Sequence, residues 1–282
     1  MANELANYVK KKDYLVCVDS DGCAMDTMDI KHFRCFGPCM VQEWGLERWE
    51  QPILERWNEI NLYTMTRGIN RFKGLALALD EIDQKYTAIE DLPALKTWAE
   101  TSPELSNSAL EAAIEKQPQH GSLRKALAWS KAVNRSINEL ADDLKLPFAM
   151  AKEALAFVHE RADVAIVSSA NLDAVLEEWE RYGLLEHTDI VLAQNAGSKA
   201  YCIGELLKKG YAPDCVLMCG DAPGDHQAAV KNCVFYYPIL VRKEKESWEE
   251  LISEGFDKLL SGTYADGYQQ QKIDAFLKNL GA

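Results

Sequence analysis

The sequence predicts an α/β protein with a Rossmann-like parallel sheet as its core and an inserted all-α domain. Short apolar runs alternate with helical segments from about residue 146 to residue 240. This alternation is typical of a parallel sheet with helices on both faces. A further apolar run, Tyr14–Val18, lies alone near the N-terminus, and residues 28–145 contain no strand-like run. We therefore predict a core formed by residues 1–27 and 146–282, split by the insert.

The predicted strands are short and are bounded by charged or turn-forming residues. Tyr14–Val18 has the composition of a buried parallel strand. Four more runs of this kind follow at residues 164–167, 189–193, 215–219 and 234–238. Pro147 suits the first turn of the helix before them. The tail from about residue 243 is predicted to be helical and peripheral.

The insert has the periodicity of amphipathic helices. Residues 47–62, 75–82 and 108–114 are predicted to be helical, and apolar residues at helical spacing predict a long helix over 123–144. Polar connecting segments separate these predicted helices. We interpret residues 28–145 as one helical domain.

Composition and charge restrict the function. With 282 residues, of which 48% are hydrophobic, the chain can bury a sizeable core. Its net charge of −13 argues against general binding to nucleic acid or to anionic membranes. An anionic substrate would need a local cation, which a metal ion and a few basic side chains can supply. The sequence does not indicate an oligomeric state.

The eight cysteines are interpreted as reduced structural thiols. None is part of a Cys-x-x-Cys pair, and the pairs Cys35/Cys39 and Cys215/Cys219 have no histidine at zinc-finger distance. The N-terminus lacks the apolar region of a signal peptide, and no apolar run approaches the length of about 20 residues that spans a membrane. We expect a cytoplasmic protein.

Four polar segments follow the predicted strands. They are Asp19-Ser20-Asp21-Gly22, Ser168-Ser169-Ala170-Asn171, Gly197-Ser198-Lys199 and Gly220-Asp221-Ala222-Pro223-Gly224-Asp225. Because ligands of an open parallel sheet bind beyond the carboxyl ends of its strands, we expect these segments to meet in one crevice.

The residue types in these segments suit phosphoryl transfer. Asp19, Asp221 and Asp225 would repel one another, and a divalent cation such as Mg²⁺ would relieve the repulsion. Lys199 would offset further charge, and Asp21 is a candidate proton donor and base. Each residue also has an ordinary alternative when taken alone: an aspartate in a turn, Ser168 as a helix cap, and Lys199 as a solvated lysine.

The four segments resemble the motifs of the haloacid dehalogenase superfamily, whose members are mostly Mg²⁺-dependent phosphatases. The family's first motif, D-x-D-G-T-hydrophobic-x-D-S, is similar to residues 19–27. Cys23 stands where the family usually has Thr, Thr27 where it has Ser, and Ala200 where it often has Pro after the lysine. The resemblance covers about residues 12–27 and 146–240.

The resemblance implies a role for each segment. Asp19 would attack phosphorus and form an aspartyl-phosphate, while Asp21 would protonate the leaving group and then activate water. Ser168 and Lys199 would bind the phosphoryl group. The candidate metal ligands are Asp19, Asp21 through its backbone carbonyl, Asp221 and Asp225. The further candidate substrate-binding residues are Gly22, Ser169, Asn171, Arg67 and Arg71.

The insert resembles the helical C1 cap of the superfamily, although it is larger than usual. Such caps close over the site and select the substrate. Arg67 and Arg71 belong to a basic cluster that could meet a substrate anion or could be a solvated helix start. His32 could reach the mouth of the site or could lie in a plain linker.

We therefore expect a Mg²⁺-dependent phosphohydrolase that acts on a small phosphorylated metabolite. The acid at position 21 favours phosphate esters over the substrates of dehalogenases and phosphonate hydrolases. The alternatives are a phosphomutase of the same superfamily and a non-catalytic binding protein that keeps the scaffold.

Overall fold

The computed structural model describes residues 2–282, including the side chains of residues 5–282. The chain forms two compact units. The first, here called the sheet unit, contains the N-terminal segment up to Met28 together with Asp142–Ala282, and the second, the helical unit, contains Asp29–Ala141. The function of the helical unit as a cap stays a prediction.

The sheet unit is built on five parallel strands. In chain order, the strands of the described residues are β1 (Tyr14–Val18), β2 (Met25–Asp26), β3 (Leu146–Pro147), β4 (Ala162–Val167), β5 (Ile190–Leu192), β6 (Val216–Gly220) and β7 (Phe235–Pro238). The order in the main sheet is β5-β4-β1-β6-β7, and β2 pairs with β3 in a separate antiparallel ribbon. The predicted α/β class and parallel sheet are confirmed.

The first strand lies at the centre of the main sheet. In the register, Val16 of β1 is opposite Val164 of β4 on one side and Leu217 of β6 on the other. The side chains of β4 and β6 are buried along their whole length, as expected for strands covered on both faces. Because all three strands run in one direction, the residues that follow them lie at the same edge of the sheet.

Helices make up most of the remaining chain. In chain order they are α1 (Ala2–Asn7), α2 (Met28–Lys31), α3 (Gly37–Trp44), α4 (Glu50–Asn58), α5 (Arg71–Lys85), α6 (Leu92–Thr101), α7 (Asn107–Lys116), α8 (Gly121–Asn138), α9 (Ala151–His159), α10 (Leu172–Arg181), α11 (Lys199–Leu207), α12 (Pro223–Lys231), α13 (Glu244–Glu250), α14 (Phe256–Leu260) and α15 (Tyr268–Asn279). Turns of π-helix follow α2, α4 and α13 at His32–Phe36, Glu59–Tyr63 and Leu251–Gly255.

The C-terminal tail is helical, as predicted, but its predicted peripheral position is wrong. Trp248, Leu251, Phe256 and Tyr264 are fully buried in the same apolar cluster as the sheet. These large side chains provide apolar area that the short strands alone do not bury. The tail is therefore part of the core of the sheet unit.

Two helix predictions are corrected. Pro147 lies in β3, and α9 begins only at Ala151, after Met150 in the left-handed conformation with φ of 69°. The long helix predicted over 123–144 ends at Asn138, and Leu144 is exposed. Its apolar side chain continued the helical pattern in the sequence although the backbone does not.

The helical unit has its own aromatic core. Trp57, Trp129 and Phe72 make edge-to-face contacts, with ring centroids 6.0 Å apart for the two tryptophans. Trp129 also donates a hydrogen bond from Nε1 to the carbonyl oxygen of Phe36. None of the helices in the described part of the chain is both long and apolar enough to cross a membrane.

Candidate active site

Three strands of the main sheet end at polar residues that the sequence singled out. Asp19 follows β1, Ser168 follows β4 and Asp221 follows β6. All three side chains are buried, and Asp19 is only 6% exposed. The parallel arrangement thus brings residues from distant parts of the sequence to one edge.

The three predicted acids form one cluster. Carboxylate oxygens of Asp19, Asp221 and Asp225 all lie within 4.8 Å of one another. Both Asp221 and Asp225 are fully buried. The predicted convergence of these acids is therefore present in the structure, whereas their roles in binding and catalysis stay predictions.

A single lysine bridges two of the acids. The Nζ of Lys199 lies 2.6 Å from Oδ2 of Asp19 and 2.5 Å from Oδ1 of Asp225. Lys199 is the first residue of α11, whose N-terminus is capped by Oγ of Ser198. The interpretation of Lys199 as a solvated lysine is wrong, because its side chain is largely buried against carboxylates.

A glycine allows Asp225 to approach the end of β6. A Cβ atom at Gly220 would lie only 2.3 Å from Cγ of Asp225. Oδ2 of Asp225 also accepts a hydrogen bond from the backbone N–H of Ala222 at 3.0 Å. The Gly-Asp spacing of this segment therefore holds the acid against the strand end.

The loop after Asp19 is a tight turn fixed by two tryptophans. Gly22 has φ of 81°, a left-handed conformation that glycine adopts without strain. Trp179 donates from Nε1 to Oγ of Ser20 at 2.9 Å, and Trp248 donates from Nε1 to the carbonyl oxygen of Cys23 at 3.2 Å. These bonds tie the side chain of Ser20 and the backbone of Cys23 to two different helices.

Thr27 makes a contact at the candidate site that the sequence analysis did not predict. Its Oγ1 donates a hydrogen bond to Oδ1 of Asp21 at 2.6 Å, and the Thr27 side chain is fully buried. The sequence showed only that Thr27 stands where the family usually has Ser. Both residues carry a hydroxyl, but the sequence alone did not place that hydroxyl beside Asp21.

The remaining sheet-unit candidates differ in their environment. Oγ of Ser168 accepts from the backbone N–H of Ala170 at 3.1 Å. Oδ1 of Asn171 caps α10 by accepting from two backbone N–H groups. Ser169 and Asn171 are exposed, so substrate binding by these two residues stays a prediction.

The two candidate arginines and His32 belong to the helical unit. Arg67 is only 2% exposed and donates from Nη1 to the carbonyl oxygen of Leu62 at 2.7 Å, so its interpretation as a solvated residue is wrong. His32 lies in a π-helical turn, where Nδ1 accepts from Nε1 of Trp57 at 3.0 Å. The linker interpretation of His32 is therefore wrong as well.

Arg71 lies at the start of α5. Its Nη1 donates to Oγ of Ser130 at 3.1 Å and to Oδ1 of Asn134 at 2.7 Å. Substrate binding by Arg67 or Arg71 stays a prediction.

Burial and charge repulsion shift the protonation of the acid cluster. Burial, with a smaller contribution from the negative charge of Asp225, raises the pKa of Asp19 to about 6 against the attraction of Lys199. Burial likewise raises the pKa of Asp225, with Asp221 adding to the shift. Burial disfavours the charged form of Lys199, but Asp19 and Asp225 outweigh it and raise the pKa of the ammonium.

The donor set fits a divalent cation with oxygen ligands. Three carboxylates and one ammonium leave a net charge of −2 (−3 + 1) when all are ionised. Buried charge of one sign is costly, and a hard cation such as Mg²⁺ neutralises it with the oxygen ligands it prefers. Asp19, Asp221 and Asp225 are therefore the residues that would hold such an ion.

Comparisons with known proteins found similar solved structures but no similar sequence family. No protein-family model and no curated protein sequence matches the chain. Among solved structures, a provisionally assigned haloacid dehalogenase-like hydrolase from Bacteroides fragilis superposes with a TM-score of 0.51 at 11% identity. That match covers 84% of this chain and 93% of the other.

Two further structures superpose at lower scores. A haloacid dehalogenase-like family hydrolase from Streptococcus pneumoniae has a TM-score of 0.43 at 11% identity, covering 84% of this chain and 90% of the other. A provisionally assigned β-phosphoglucomutase from Thermotoga maritima has a TM-score of 0.47 at 15% identity, with coverages of 80% and 84%. The fold assignment rests on the first match: the protein has the fold of the haloacid dehalogenase-like hydrolases.

The raised pKa of Asp19 predicts a pH dependence of stability in the absence of metal. Because the folded state binds this proton more tightly than the unfolded state, the protonated carboxyl favours folding at low pH. This contribution is lost as the pH rises through the folded pKa of about 6. We therefore expect Asp19→Asn to gain thermal stability relative to the native protein between about pH 4.5 and about pH 7.

The measurement is the melting temperature of both proteins in EDTA across this range. Subtracting one melting temperature from the other cancels the effect of all groups that titrate in both proteins. A difference that is constant with pH, or that shrinks as the pH rises, would contradict the assigned shift.

Proposed function

We propose that this protein is a Mg²⁺-dependent phosphatase of small phosphorylated metabolites that works through an aspartyl-phosphate. The observation that carries the proposal is the cluster of Asp19, Asp221 and Asp225 with Lys199 at the carboxyl edge of the sheet. The fold of the haloacid dehalogenase-like hydrolases and the order of the four polar segments support it.

In the first step, a carboxylate oxygen of Asp19 attacks phosphorus. The new bond between oxygen and phosphorus forms as the bond to the ester oxygen breaks, and protonated Asp21 gives its proton to the leaving alkoxide. Asp19 lies at the end of β1, and its Oδ1 accepts from the backbone N–H of Ser20 at 2.8 Å. This bond orients the carboxylate, whose other oxygen, Oδ2, lies 2.6 Å from Nζ of Lys199.

In the second step, a water molecule attacks the phosphorus of the aspartyl-phosphate. Asp21, now ionised, takes a proton from the water, and the bond between Asp19 and phosphorus breaks. Inorganic phosphate leaves and both aspartates return to their starting state. Asp21 must therefore alternate between two protonation states, and the hydroxyl of Thr27 holds it in place during both steps.

The phosphoryl group is bound by Lys199 and Ser168. Lys199 supplies positive charge beside Asp19, where negative charge accumulates in the transition state. Ser168 is buried at the end of β4, and its hydroxyl donates to no group among the described side chains, which leaves it for a phosphoryl oxygen. A bound Mg²⁺ would neutralise phosphate charge and lower the repulsion between phosphate and Asp19.

The proposed substrate is a small soluble phosphate ester in the cytoplasm. The net charge of −13 would disfavour polyanions such as nucleic acid. All eight cysteines are free, as expected in a reducing compartment.

We expect Asp19→Asn to lose phosphate release by roughly three orders of magnitude or more, because the amide cannot act as the nucleophile. The measurement is inorganic phosphate released from p-nitrophenyl phosphate with Mg²⁺, with circular dichroism as a check of folding. The matched control is Asp13→Asn, which removes an exposed carboxylate outside the cluster.

Native activity in Asp19→Asn would refute the nucleophile assignment. Phosphoryl transfer to a sugar hydroxyl, without net phosphate release, would instead establish the phosphomutase alternative. Absence of both reactions from a broad panel of esters would favour a binding protein.

We expect Thr27→Val to lower kcat about tenfold with little change in KM, because Asp21 loses the hydrogen bond that orients it. Valine has nearly the same shape as threonine, so the buried site keeps its packing. Thr27→Ser keeps the hydroxyl and should retain most of the activity. The measurement is the pH profile of kcat for all three proteins. Equal losses in the valine and serine variants would show that packing, and not the hydroxyl, is what matters.

A further inference from the structure

Two arginines of the helical unit, Arg67 and Arg71, have very different surroundings. Arg67 is almost fully buried, donates to the carbonyl oxygen of Leu62 and lies 4.0 Å from Oδ1 of Asp29. An acid therefore accompanies its charge inside the unit. The contacts of Arg67 are therefore with groups of the helical unit itself.

Arg71 is held at one end of its guanidinium group only. All three of its side-chain hydrogen bonds come from Nη1: two to the carbonyl oxygen and the hydroxyl of Ser130, and one to Oδ1 of Asn134. Oγ of Ser130 in turn donates to Oδ1 of Asn107 at 2.7 Å, which orients its lone pairs towards the arginine. The guanidinium carbon lies 5.1 Å from the ring centroid of Phe36. The hydrogen bonds to α8 and the contact with Phe36 together fix the plane of the group.

The other edge of the Arg71 guanidinium is open. Within the described residues, Nε and Nη2 of Arg71 donate no hydrogen bond, and no carboxylate forms an ion pair with Arg71. The residue is partly buried, and burial lowers its pKa to about 10 with no acid opposing the shift. A desolvated cation without a counter-ion is costly to keep.

Arg56 in the same unit shows what this edge of an arginine binds. Its Nε and Nη2 donate to the two carboxylate oxygens of Glu81, each at 2.8 Å, while its Nη1 donates to Glu59. This is the paired geometry in which guanidinium recognises planar oxyanions. Arg71 presents the same two donors without an internal carboxylate.

We propose that the Nε–Nη2 edge of Arg71 is a binding site for an oxyanion, a carboxylate or phosphate group on a small molecule. The fixed plane of the guanidinium lowers the entropy cost of binding. The net charge of −13 repels anions, so an anion that binds to this protein needs local positive charge, which the Arg71 guanidinium supplies. The oxyanion can be a second anionic group of the substrate, in which case the assignment also rests on the proposed function, or it can belong to a separate metabolite.

The test follows the side-chain Nε–H resonances of the arginines in the ¹⁵N-labelled full chain. Sulfate is the probe, added against chloride of matched ionic strength, and Arg71→Lys identifies the Arg71 signal. We expect the Arg71 signal to move with sulfate to a saturating value. The Arg56 signal is the internal control and should stay in place because Glu81 already occupies its donors. A response of Arg71 no larger than that of Arg56, or no larger than its response to chloride, would overturn the proposal.

A second measurement separates the two sources of the oxyanion. Two phosphate monoesters that differ by one carboxylate are compared in native enzyme and Arg71→Lys, whose melting temperatures are checked first. If the oxyanion belongs to the substrate, the ratio of kcat/KM for the carboxylate-bearing ester to that for the other ester should fall about tenfold in Arg71→Lys. Lysine keeps the positive charge but lacks the two parallel N–H donors of the guanidinium. An unchanged preference, with the sulfate response still present, assigns the site to a separate metabolite. The resonance measurement needs no turnover, so it decides the proposal even if no ester is hydrolysed.

Discussion

The repulsion among three buried carboxylates is the constraint on which the candidate site depends. Asp19, Asp221 and Asp225 are gathered where water cannot screen them, and Lys199 compensates only part of their charge. Burial raises the pKa of Asp19 and of Asp225, so the cluster is strained electrostatically as long as it holds only these groups. A fold maintains such an arrangement at a cost in stability, which sites that bind cations or phosphate commonly carry.

The rest of the sheet unit supports this cluster. The central strand β1 ends at Asp19, and its neighbours β4 and β6 bring Ser168 and Asp221 to the same edge. Gly220 leaves room for Asp225, and two buried tryptophans hydrogen-bond to the loop that carries Asp19. The C-terminal helices contribute Trp248, which explains why the tail is part of the core and not an appendage.

The sequence was informative where chemistry and strand pattern coincide. Asp19, Asp221 and Asp225 were predicted to converge because parallel strands end at one edge, and the structure agrees. The contact between Thr27 and Asp21 could not be predicted, since it depends on the path of the loop between them. The sequence also could not predict that the Nε–Nη2 edge of Arg71 is open, because its hydrogen-bond partners Ser130 and Asn134 lie about sixty residues away along the chain. Local patterns predict elements, whereas hydrogen bonds between distant helices require the packed structure.

The most direct test of this account is the crystal structure of the protein with Mn²⁺, which replaces Mg²⁺ at oxygen sites and scatters anomalously. The account predicts one strong anomalous peak in contact with carboxylate oxygens of Asp19 and Asp221, with Lys199 displaced from at least one of its two present partners, Asp19 and Asp225. Carboxylates still closed around Lys199 at saturating Mn²⁺, with no peak between them, would contradict the central claim that this cluster is built for a divalent cation.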